Sequence, residues 1–88
     1  MMNYDEYDKI IEECKILSQS KNSDYSDEPL LKFREKGIIV RMTDKMCRMT
    51  NLIWNNNNIS IKDEHIEDTA RDIINYAIYL IMMQNKKL

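Results

Sequence analysis

A single glycine and a single proline leave this chain of 88 residues almost no turn chemistry. A fold of many short strands depends on such turns, so the composition favours long helices joined by few loops. Histidine is equally scarce, with His65 alone. One histidine without a supporting motif builds no Ser/His/Asp or Cys/His centre. The two cysteines, Cys14 and Cys47, stand far apart without metal-ligand spacing, and read as free thiols of a reducing compartment. A glycine-rich phosphate loop is missing as well. So is an excess of basic residues: the formal net charge is −2, which argues against a dedicated nucleic-acid binder. The most apolar stretch, Ile73 to Met83, is too short for a bilayer and contains Asn75. The chain opens on acids and tyrosines, not on a basic and then apolar run. A cytoplasmic protein without a membrane segment is expected.

What is present is helical periodicity. Tyr4, Tyr7, Ile11, Cys14 and Leu17 recur at spacings of three and four and predict a first helix over 4–17. The polar run from Ser18 to Pro29 predicts a loop. A second helical region starts near Leu30, with Gly37 expected to end a short helix or bend the axis. Beyond it, Ile39, Met42, Met46, Met49 and Ile53 form an apolar stripe, read as core packing. The Asn55–Asn58 run ends that helix. Ser60-Ile61-Lys62-Asp63 suits the N-cap of a third helix running to about Gln84. From Ile73 to Met83 this helix is apolar nearly all round. Two other helices cannot easily cover it, so a subunit interface is expected there. The expected architecture is one domain over 1–88, an all-α bundle of three main helices completed by oligomerisation. A chain this short has little core of its own, which points the same way.

The charges are segregated. Residues 32–48 carry Lys32, Arg34, Lys36, Arg41, Lys45 and Arg48 against Glu35 and Asp44. In the third helix, Glu64, Asp68, Asp72 and Asn75 fall in one column. Like charges so spaced repel, unless a cation lies against them. Carboxylates at i, i+4 and i+8 can hold Mg²⁺, a hard cation that bridges readily to phosphate. Arg41, Lys45 and Arg48 on a facing helix would then take phosphate oxygens, with Asp44 completing the metal site or orienting them. Asn75 could hydrogen-bond a base and Tyr76 or Tyr79 could stack on one. The same residues also suit an interhelical salt-bridge network without any ligand. Spacing does not choose between the two.

Further pieces carry a resemblance. They are Lys21 to Tyr25, Phe33 to Gly37, Val-Arg-x-x-Asp-Lys-x-x-Arg over 40–48, and Glu-Asp-Thr-x-x-Asp-x-x-Asn-Tyr-Ala over 67–77. Together they resemble the nucleotide-modification-associated domain family. That family is widespread in phages and similar to the MazG-like all-α nucleoside triphosphate pyrophosphatases. The resemblance covers roughly residues 20–80. It implies an oligomeric helical bundle that uses Mg²⁺ to cleave a nucleoside triphosphate to monophosphate and pyrophosphate. Asp44, Asp68 and Asp72 would be catalytic, and these with Glu64 would hold the metal. Arg41, Lys45, Arg48, Asn75 and Tyr76 would contact the nucleotide. The Glu-x-x-Glu usual in the first metal helix is missing, and Thr69 stands where the second motif has its glutamate. Two functions therefore stand side by side. One is an Mg²⁺-dependent pyrophosphohydrolase. The other is a non-catalytic phage protein, acting in the host cytoplasm, that sequesters a nucleotide signal or blocks a host defence protein.

Overall fold

Three long helices carry the chain in the computed structural model, which describes residues 1–55 and 65–88. No strand occurs among the described residues, so the all-α expectation holds. Helix α1 spans Tyr4–Tyr25, α2 spans Glu28–Met49, and α3 spans Ile66–Gln84. A single π-helical turn, Thr50–Trp54, extends α2. Among the described residues, no helix is long and apolar enough to cross a membrane.

Helix α1 begins where the side chain of Asn3 accepts the Glu6 N–H at 3.0 Å, with Asp5 and Glu6 in the first turn to suit the helix dipole. It does not stop at Leu17. The predicted loop is helical as far as Tyr25, and the reason is tertiary. Ser18 hydrogen-bonds the Tyr79 hydroxyl, and Lys21 reaches Asp72, both on α3. These ties hold two turns whose residue types prefer loops. Ser26, at φ 60°, closes the helix by donating its N–H to the Asn22 carbonyl. Pro29 then falls in the first turn of α2, where a missing N–H costs nothing.

Helix α2 does break, but at Arg34 and not at Gly37. Arg34 has φ 52° and ψ −137°, a strained combination for a residue with a side chain. Its guanidinium reaches Glu35 at 3.1 Å and the Leu88 carbonyl at 3.3 Å. Gly37 serves the break differently: a Cβ there would lie 2.6 Å from the Phe33 Cβ. Gly37→Ala gains helix propensity of about 1 kcal/mol. It must also push Phe33 aside, at about 1–3 kcal/mol. A net loss of about 1 kcal/mol is expected in denaturant melts.

Helix α3 lies between the other two and contacts both. Residues 70–80 are all buried or half-buried, Asn75 being the buried one. Ile81 and Met82 at its end remain exposed. The expected N-cap over Ser60–Asp63 lies outside the described residues. His65 occupies the cap position of the described helix, without a side-chain cap bond. Cys14, Ile38 and Met83 are the buried apolar residues among those described, joined by Thr69 and Asn75. The stripe expected to form core on α2 does so only in part: Met42 and Met49 are half-buried, while Ile39, Met46 and Ile53 are exposed.

Candidate functional site

The acidic column of α3 runs from solvent into the interior, so its members have different fates. Asp68 is exposed and sits 3.4 Å from Arg71. Arg71 also meets Glu67 at 3.4 Å and Glu13 of α1 at 3.0 Å. The Glu13 hydrogen bond, against some desolvation, holds the Arg71 guanidinium above its ordinary pKa. One turn on, the Asp72 side chain is only 13% exposed and lies between two ammonium groups. Lys21 Nζ donates to Oδ1 at 2.7 Å, and Lys45 Nζ lies 3.1 Å from Oδ2. Burial alone would raise the Asp72 carboxyl. The hydrogen bonds from Lys21 and Lys45 outweigh it and hold the group below its ordinary value.

Asn75, expected to face a base, is buried instead. Its Nδ2 donates to the Cys14 carbonyl at 3.0 Å, tying α3 to α1. That bond takes up a backbone acceptor in the interior, where an unpaired polar group is costly. Burial pushes the pKa of the Cys14 thiol up, with Arg71 opposing and Glu13 and Asp72 adding to the rise. Cys14 is therefore a core thiol.

The basic stripe of α2 faces α3 across a small pocket. Arg41, Asp44, Lys45, Arg48 and Tyr76 line it, around about 230 Å³. The periodicity of α2 places these four charged residues together because they sit three and four apart. Three cationic side chains line it with one carboxylate, and Lys45 also serves Asp72, so the charge left over favours an anion only in part. A second pocket of about 420 Å³ shares Arg41 and Tyr76 with the first. It adds Lys21, Asn22, Pro29 and Leu30 from the α1–α2 corner, and Tyr79. Lys21, Pro29 and Leu30 escaped the sequence reading because that corner reads as a loop. For Lys21 the signal lay in the segment Lys21 to Tyr25, noted there only for its resemblance.

The chemistry of the donors tests whether Mg²⁺ fits. Both Asp72 oxygens are held by lysines. Asp68 is paired with Arg71, and Asp44 lies on α2 at the pocket wall. No group of three or more His, Cys, Asp or Glu residues suited to a metal occurs among the described residues. Glu64 lies outside them. The described carboxylates thus do not assemble an Mg²⁺ site. A divalent cation at Asp72 would have to displace Lys21 and Lys45.

No protein-family model matches the chain, and no similar chain is found among curated proteins or solved structures.

Proposed function

We propose that this protein binds a nucleotide or nucleotide-derived small molecule without hydrolysing it. The observation that carries this reading is the convergence of Arg41, Lys45, Arg48 and Tyr76 on one pocket. Its half-apolar neighbour is reached through Arg41 and Tyr76. Phosphate oxygens suit the cations, with Arg41 and Arg48 offering paired donors and Lys45 a point charge. A ring system suits Pro29, Leu30, Tyr76 and Tyr79. The resemblance to the nucleotide-modification-associated and MazG-like families supports the same ligand class. It also supports a phage setting in the host cytoplasm, where a binder without turnover would act by sequestration.

Mg²⁺-dependent pyrophosphohydrolysis is the second reading, and it rests on the resemblance. It requires Asp72 to exchange two lysines for a metal. Calorimetry with nucleoside mono-, di- and triphosphates and cyclic nucleotides, in Mg²⁺ and in chelator, separates the readings. Binding is expected to persist in chelator, with no pyrophosphate released over hours. Binding that needs Mg²⁺ and releases pyrophosphate would replace this reading by the enzymatic one. A protein that binds none of these ligands under either condition would end both.

A further inference from the structure

One carboxylate holds a cation from each of the two pockets. Lys45 of α2 lines the cationic pocket, and Lys21 of α1 lines its half-apolar neighbour. Their ammonium groups meet at Asp72 of α3, Lys21 Nζ at 2.7 Å from Oδ1 and Lys45 Nζ at 3.1 Å from Oδ2. Asp72 itself lines neither pocket. Its side chain is also less exposed than that of either lysine. The short carboxylate is therefore the fixed member, and the ammonium groups, on flexible four-carbon stems, are the members able to turn. An anion that draws on Lys45 must share that charge with Asp72. Even where the three donors of one ammonium reach both anions, the second stands within a few ångströms of the first, and like charges at that range repel.

We propose that Asp72 is a built-in counter-anion of the binding site, which rests on reading the cationic pocket as a place for phosphate. Asp72 holds Lys45 until a phosphate group draws that lysine away. Lys21 makes the release possible, because it keeps the carboxylate paired when Lys45 turns to the ligand. Asp72 is thus a positioning residue that touches no ligand and sets how much positive charge the pocket offers. The same two ion pairs tie α1 and α2 to α3, so stability and affinity depend on Asp72 with opposite sign. A carboxylate that served only the fold would behave otherwise. Its loss would loosen the approach of α2 to α3 and weaken binding along with stability.

Calorimetry with inorganic pyrophosphate in chelator tests this. Asp72→Asn should bind pyrophosphate about two- to fivefold more tightly than wild type, the equivalent of one partly exposed ion pair no longer competing. Its melting temperature should fall at the same time. Asp68→Asn removes the same charge one turn earlier, from an exposed position, and should leave the affinity nearly unchanged. In a Lys45→Met background the gain from Asp72→Asn should largely vanish, which a double-mutant cycle measures. A gain that persists without Lys45 would mean a general field effect and overturn the proposal. An Asp72→Asn affinity equal to or below that of wild type would overturn it too. Wild type supplies a check that needs no folded variant. As pyrophosphate saturates, the side-chain carboxyl carbon resonance of Asp72 should move and that of Asp68 should stay, and a still Asp72 resonance would again overturn the proposal. Pyrophosphate that tightens as expected, with no nucleotide bound by any variant, would keep the counter-anion and end the nucleotide reading. Nucleotide binding that Asp72→Asn does not strengthen would do the reverse. A wild type and variants that all fail to bind pyrophosphate would overturn the counter-anion whatever nucleotides do.

Discussion

Asp72→Asn should destabilise the protein by about 1–3 kcal/mol without any ligand, while Asp68→Asn should leave it nearly unchanged. The two acids are one turn apart on the same helix column, yet their surroundings differ. Asp72 is half-buried between Lys21 and Lys45, and an amide leaves both ammonium groups facing a neutral partner. The lysines are 49% and 26% exposed, so water recovers part of the loss and the full cost of breaking a buried pair does not apply. Asp68 is 58% exposed and shares Arg71 with Glu13 and Glu67, which remain when it is replaced. A metal site built from the column predicts something else. There, both substitutions would relieve repulsion and raise or preserve stability without metal. Denaturant melts of the two variants in chelator distinguish these outcomes.

The same carboxylate gives a pH signature. Asp72 is held below its ordinary value when folded, so the unfolded chain binds the proton more readily. Its stabilisation is therefore complete above the unfolded carboxylate value of about 3.9, and is lost as pH falls through the lower folded value. Wild type should lose stability over that acid window, and Asp72→Asn should lose less of it. Parallel acid unfolding curves would show that the lysine pairs contribute nothing.

The sequence revealed most where periodicity alone decides the outcome. Arg41, Asp44, Lys45 and Arg48 share a face in any helix, so their convergence on one pocket was readable without tertiary knowledge. The end of α3 at Gln84 and the helical class were readable for similar reasons. What failed depended on neighbours. Ser18 to Tyr25 is helical because Tyr79 and Asp72 hold it so, and residue type favours the opposite. The break in α2 sits at Arg34, a residue without intrinsic preference for φ 52°, while Gly37 makes room for Phe33. The acidic column was correct as a column, but its depth was hidden. Where α1 crosses α3, the column passes from exposed Asp68 to buried Asn75. Of the two readings that spacing left open, the salt-bridge one describes Asp72 and Lys45, and ligand binding at Arg41 and Arg48 is the proposal made above. Asp72 and Lys45 form an interhelical pair, and Arg41 and Arg48 line a pocket.

That division determines which cation tests the nucleotide site. Lys45 is a poor choice, because its loss also strips a partner from Asp72 and weakens the fold. The two arginines of the pocket wall remain. Arg41 lines both pockets and Arg48 only the cationic one. If phosphate sits between them, each truncation removes a charge-assisted hydrogen bond, worth about 1.5–3 kcal/mol, or about ten- to a hundredfold in affinity. Arg41→Ala should fall at the upper end, since it also opens the junction to the half-apolar pocket. Arg41→Lys should recover only part of the affinity, because an ammonium cannot reproduce a paired contact with phosphate. Arg48→Ala should weaken inorganic pyrophosphate and nucleotide by the same factor, as it faces the phosphate side alone. Calorimetry on variants whose melting temperatures match wild type gives all four comparisons. Unchanged affinity in both alanine variants would remove the pocket from nucleotide binding and leave its cations to the salt-bridge network.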